Sequence, residues 1–153
     1  MEKRHAALEA LNRAIEINND RIAGYEKAIE IISEDSDTEL QSIFKTYRDQ
    51  SVQFRSELLP FIRVVGGNAD QGSKLSGKFF RIWMDIKSSV APSASTTVLE
   101  SCEKGEEEFR RIYLEILQEI KGQDSDLAAI FQEHLVIQKG ALDYIKERRG
   151  DLV

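Results

Sequence analysis

The sequence predicts an all-α single domain in which four long helices form two antiparallel hairpins, joined by a long crossover that carries a short helix of its own. Three observations predict it. Apolar residues recur alternately three and four positions apart in four separate segments, the spacing that holds one helix face against a neighbour. Only two prolines and nine glycines interrupt 153 residues. Turn-forming clusters divide the chain into connections that run short, long, short.

The first helix is expected over about 4–33, with the seam Leu8, Leu11, Ile15, Asn18, Ile22, Tyr25, Ile29 and Ile32. Only Asn18 breaks its apolar character, and Ala7, Ala14 and Ala28 flank it, allowing close helix approach. The cluster Ser33-Glu34-Asp35-Ser36-Asp37 stops it, and Ser36 with Glu39 has capping-box spacing for a second helix over about 37–65. That seam reads Leu40, Phe44, Tyr47, Ser51, Phe54, Leu58, Phe61 and Val65, with Ser51 as its interruption. Pro60 removes a donor and crowds the preceding turn, which predicts a bend between Ser56 and Pro60.

Gly66-Gly67 ends this helix and opens the long connection. Within it Leu75, Phe79, Ile82, Trp83, Ile86 and Val90 keep a helical period, so the crossover helix is expected over about 74–90. Thr97 and Glu100 have capping-box spacing for a third long helix over about 97–121, whose seam is Val98, Cys102, Gly105, Phe109, Ile112, Ile116 and Ile120. Gly122 is placed to end it. Asp124 or Ser125 caps the fourth helix, about 125–148, with the seam Leu127, Phe131, His134, Gln138, Ala141 and Ile145. Short loops force antiparallel neighbours, and one long crossover between two hairpins is the connection pattern of ferritin-like bundles.

Bulk composition bounds the function classes. Hydrophobic residues make up 41% and charged residues 31%, ordinary for a helical domain with a core of its own. A net charge of −6 repels phosphate backbones, which argues against a nucleic-acid partner. No apolar run approaches the roughly 18 residues that span a bilayer. The opening Met-Glu-Lys-Arg-His lacks the apolar region of a signal peptide, and Cys102 is the only cysteine. The expectation is a cytoplasmic protein.

Each long helix carries its seam irregularity near its midpoint. A bundle stacks midpoints at one level, so a polar core layer of Asn18, Ser51, Cys102 and Gln138 is expected inside an otherwise apolar interior. Two readings compete for it. In the first, the layer fixes helix register through satisfied hydrogen bonds. In the second, it is a remodelled metal site for iron or manganese, drawn from Glu57, Glu103, Glu106 and His134, since bundles of this topology can hold two metal ions between carboxylates and imidazoles. The residue census favours the first. Only two histidines exist, and the one literal Glu-x-x-His, Glu2 to His5, sits at a terminus. Cys102 has no histidine near it in sequence, so neither a catalytic residue nor a cofactor site is expected.

Three stretches carry a family resemblance: Ile17-Asn18-Asn19-Asp20-Arg21-Ile22-Ala23-Gly24-Tyr25 with Phe54 and Glu57-Leu58, then Ser73-x-Leu75-Ser76-Gly77 with Trp83, then Leu99-Glu100-Ser101-Cys102-Glu103-Lys104-Gly105-Glu106. Together they resemble an uncharacterised bacterial family of ferritin-like proteins, catalogued as a domain of unknown function. The resemblance implies a ferritin-like bundle from a bacterium and no established activity. The family pattern places a His-Asp pair late in the last helix, where this chain has Leu142-Asp143. If that histidine serves a metal in relatives, this chain has lost the ligand. The functional expectation is therefore a non-catalytic interaction or assembly protein, such as a homo-oligomer, linked by fold analogy to stress physiology. A metal-binding protein is the alternative.

Overall fold

Each of the four long segments is helical in the computed structural model, which describes residues 2–32, 38–64 and 94–151. The helices are α1 (Glu2–Ile32), α2 (Thr38–Val64), α3 (Ala94–Ile120) and α4 (Ser125–Asp151), and no strand occurs among the described residues. The expected crossover helix over about 74–90, Gly66-Gly67 and Ser36 lie outside them.

Helix ends follow local chemistry. Gly122 takes φ +85°, a left-handed conformation that costs glycine nothing, and the Lys121 and Gln123 amides then bond back to the Leu117 and Ile120 carbonyls at 2.9 Å. Asp124 rather than Ser125 caps α4, its Oδ1 accepting from the Leu127 amide at 3.0 Å. α3 begins at Ala94, upstream of Thr97. Nothing in Ala94-Ser95-Thr96 opposes helical backbone, so the capping-box spacing of Thr97 and Glu100 goes unused. α2 runs through Pro60 as helix to Val64. Pro60 is exposed, so water can reach the Ser56 carbonyl that the proline leaves without its usual donor.

Cross-helix contacts give the arrangement. Arg13 pairs with Glu115 and Glu119 while Arg21 pairs with Glu106, so α1 and α3 run antiparallel. The pairs Arg21–Ser51 and Tyr25–Phe44 set α1 antiparallel to α2. Tyr113–His134 and Glu103–Arg149 do the same for α3 and α4, and Glu57–His134 and Glu39–Arg148 for α2 and α4. Around the four-helix bundle the order is therefore α1, α2, α4, α3. α2 and α3 run the same way, which leaves Val64 and Ala94 at opposite ends. Of the neighbouring pairs, α2 and α4 approach each other least closely and meet through long side chains.

The expected seams of α3 and α4 are buried at every position. In α2 the buried row ends on Ile62 rather than Phe61, as a straight helix of 3.6 residues per turn drifts from a strict heptad. In α1 the core arc is shifted as well. Ile22 and Ile29 are half-buried, while Ala10, Ala14, Ile17, Arg21 and Ala28 lie in the interior. This shift brings a charged residue into the centre of the bundle.

Candidate functional site

The middle of the bundle holds a buried ion pair. Arg21 reaches from α1 into a space kept open by Ala14, Ala28 and other small residues on the same face, and both its side chain and that of Glu106 on α3 are 0% exposed. Its Nε donates to Glu106 Oε1 and Oε2 at 3.0 and 3.2 Å, and its Nη2 donates to Oε2 at 2.9 Å. Nη2 also donates to Gln50 Oε1 at 3.1 Å, and Nη1 to Ser51 Oγ at 3.0 Å, both on α2. Four of the five guanidinium donors are thus matched by protein acceptors. The rings of Phe109, Tyr25 and Phe54 stand 5.3, 5.5 and 5.9 Å from the guanidinium carbon.

Glu106 is satisfied from two other helices, α1 and α4. Besides Arg21 it accepts from the Tyr25 hydroxyl, and from Gln138 Nε2 on α4 at 3.1 Å. The same Gln138 amide donates to the Glu106 backbone carbonyl at 2.8 Å, and its Oε1 accepts from Arg110 at 3.2 Å. Burial works against the charged guanidinium, but the Glu106 carboxylate and the flanking tyrosines outweigh it and raise the Arg21 pKa. Burial and the Glu106 charge push Tyr25 well above its ordinary value, so it stays a donor. A lone buried charge would cost several kcal/mol; paired and hydrogen-bonded on all sides, this one persists.

A second chain of polar groups leaves the layer toward solvent. Asn18 Nδ2 donates to the Ala14 carbonyl at 2.8 Å, which fixes the amide orientation, and to the Tyr113 hydroxyl at 3.0 Å. Tyr113 lies 2.9 Å from His134 Nδ1, and His134 Nε2 lies 2.7 Å from Glu57 Oε1. Because Tyr113 already accepts from Asn18, its own proton points to Nδ1. His134 is then neutral with its proton on Nε2, donated to Glu57. Phe54 stacks on the imidazole with centroids 3.9 Å apart. Burial pushes the His134 pKa down in spite of Glu57. Glu57 is lowered, since its bonds from Gln53 and His134 outweigh its partial burial.

All four residues of the expected polar layer, Asn18, Ser51, Cys102 and Gln138, are buried. Asn18, Ser51 and Gln138 hydrogen-bond into the network, and Cys102 sits one turn before Glu106, close enough to Tyr25 to affect its charge. The four expected metal ligands are not brought together. Glu57 and His134 meet, but bonded to one another. Glu106 is held by Arg21, and Glu103 by Arg149 at 2.6 Å on another part of the bundle. The reason is that Arg21 and Arg149 supply fixed cations where an ion would have to compete. Among the described residues no three His, Cys, Asp or Glu side chains are placed to share a metal ion. The donor set does not fit the iron or manganese site expected from the sequence.

Arg21 is the residue that seam reading missed. The row Ala10, Ala14, Ile17, Arg21, Gly24 and Ala28 has helical spacing, and every member besides the arginine and Ile17 is small. A large cation centred in a small-residue row is a signal for a buried, partnered charge.

Residues 6–119 match the model of a family described as a domain of unknown function, DUF2383. The chain belongs to the DUF2383 family. No curated protein matches it. The DUF2383 match spans most of α1, all of α2 and nearly all of α3, and so contains Arg21, Glu106, Tyr113 and Glu57. The two α4 members of the site, His134 and Gln138, lie beyond it.

Proposed function

We propose that this DUF2383 protein is a ferritin-like bundle that works through interaction or assembly, as a homo-oligomer or with a protein partner in a bacterial cytoplasm, and that its mid-bundle layer is structural. The observation that carries the reading is the Arg21–Glu106 pair. It supplies a permanent cation inside the layer and engages the one carboxylate that is 0% exposed among the described residues, so that carboxylate is partnered without an ion. Helices ordered α1, α2, α4, α3 around the bundle, with the long connection joining two parallel members, support the ferritin-like topology. With the interior committed to holding the helices in register, the outer helix faces are left for function. The net charge of −6 disfavours nucleic acid there.

Two measurements on one preparation test this. Light scattering across a concentration series should report a species larger than the monomer, and a strict monomer at every concentration would overturn homo-assembly. Metal analysis after reconstitution with iron, manganese and zinc should find substoichiometric metal. One or more ions per chain would overturn the structural reading of the layer.

A further inference from the structure

We propose that Tyr113 is a redox-active tyrosine that gives up an electron to an outer-sphere one-electron oxidant in solution, with His134 as the built-in acceptor of its proton. The Tyr113 hydroxyl lies 2.9 Å from His134 Nδ1, and His134 Nε2 lies 2.7 Å from Glu57 Oε1. Asn18 Nδ2 donates to the Tyr113 oxygen at 3.0 Å, which turns the hydroxyl proton to Nδ1. A base within this reach takes a proton without any movement of heavy atoms. The oxidant removes one electron from Tyr113 and is itself reduced by one. The O–H bond breaks, its proton forms the Nδ1–H bond, and the products are a neutral tyrosyl radical and the His134 imidazolium. Reduction of the radical by one electron takes the proton back from Nδ1 and restores the starting state.

The surroundings single out this tyrosine. Asn18 keeps both of its bonds, to the Ala14 carbonyl and to the Tyr113 oxygen, throughout the cycle. The imidazolium forms against the Glu57 carboxylate, whose side chain is 38% exposed, so the new charge is paired at the wet end of the chain. Burial holds the Tyr113 hydroxyl well above its ordinary pKa, so tyrosinate does not form near neutral pH and the electron must leave together with the proton. Burial also pushes the His134 pKa down, which keeps Nδ1 free to accept. Tyr25 is as deeply buried, but its hydroxyl donates to Glu106. A proton delivered there would neutralise the carboxylate and strand Arg21 as an unpaired charge in the core. Tyr113 itself is 0% exposed, with the rings of Phe109 and Phe131 at 4.4 and 5.1 Å, which keeps a second radical from coupling to it. It is nonetheless only two side chains, His134 and Glu57, from solvent, so an oxidant at the surface takes the electron without entering the bundle.

Photogenerated tris(bipyridine)ruthenium(III), a cationic outer-sphere oxidant, tests this on the full chain, with the radical trapped by freezing and read by electron paramagnetic resonance. In wild-type protein labelled with heavy nitrogen in histidine, the tyrosyl signal should couple to an imidazole nitrogen, because Tyr113 is the one tyrosine bonded to an imidazole among the described residues. The radical should form more slowly in deuterium oxide, since the proton moves with the electron. Tyr113→Phe should lose the persistent signal, whereas Tyr47→Phe and Tyr144→Phe should keep it. Glu57→Gln, a change at a partly exposed position, should slow radical formation by removing the carboxylate that faces the imidazolium. A tyrosyl signal without nitrogen coupling, equal rates in the two waters, or a radical on the single tryptophan in place of a tyrosine overturns the proposal from the wild-type protein alone. A persistent signal that survives Tyr113→Phe, or an unchanged rate in Glu57→Gln, overturns it as well.

Discussion

Removing Arg21 while keeping Glu106 isolates the role of the buried pair. In Arg21→Met the linear side chain fills most of the vacated space, but the Glu106 carboxylate stays buried at 0% exposure with only Tyr25 and Gln138 to donate to it. Breaking a buried pair from one side costs about 3–5 kcal/mol. Glu106→Leu leaves the guanidinium with Ser51 and Gln50 alone, and should cost a similar amount. The double variant Arg21→Met/Glu106→Leu removes both charges and leaves a neutral orphan, Ser51 Oγ, at about 1 kcal/mol or somewhat more. It should therefore be more stable than either single variant. Urea unfolding followed by circular dichroism reads all four proteins, with a constant m-value as the check that only stability has changed. Single variants within about 0.5 kcal/mol of wild type would refute the reasoning, since that is the range of an ordinary surface substitution. So would a double variant that loses the sum of the two.

Asp20 carries the opposite sign. Burial first, and then Glu16, push its pKa from 3.8 to about 6, so the ionised form is disfavoured by folding. The penalty is absent below the unfolded value, grows as pH rises toward 6, and is complete above it, reaching at most about 3 kcal/mol. Asp20→Asn should stabilise the protein at pH 7, and its advantage should vanish as unfolding is measured toward pH 4; a constant advantage would show that charge is not the cause. Gly140 lies exposed in the interior of α4, and an added Cβ meets nothing within 4 Å. Gly140→Ala should add about 0.5–1 kcal/mol, measurable as a rise in Tm. Asp124→Ala removes the α4 cap and should cost about 1 kcal/mol in the same assay, while Ser125→Ala should be nearly neutral.

The fold was legible because helix seams are a property of spacing. Every expected seam position in α3 and α4 is buried, since the spacing of each seam keeps it in the middle of the face that the helix turns inward. α1 was read less well. Its alanines make a second inward row beside the heptad seam, and apolar spacing alone gives no reason to prefer that row over Ile22 and Ile29. Arg21 was hidden for the same reason: an isolated arginine on a helix usually sits on a solvated face, and only the small residues around it marked this one as interior. Polar positions within a seam were visible as interruptions, which is how Asn18, Ser51, His134 and Gln138 were found. Their partners were not, because hydrogen bonds join residues from different helices. Glu106 was singled out for its spacing from Glu103, yet α3 turns the two carboxylates to different neighbours, Arg21 and Arg149. Tyr113 went unread because it flanks Ile112, the seam residue, and is nonetheless fully buried.

The central claim is that a locked guanidinium, not a metal ion, completes the middle of the bundle. The Arg21 Nε–H resonance reports on it directly. With its proton held by both oxygens of Glu106, the signal should be resolved, protected from exchange with water, and unchanged by equimolar Mn(II). An Arg21 signal that exchanges freely, or that the paramagnetic ion broadens away, would contradict the claim.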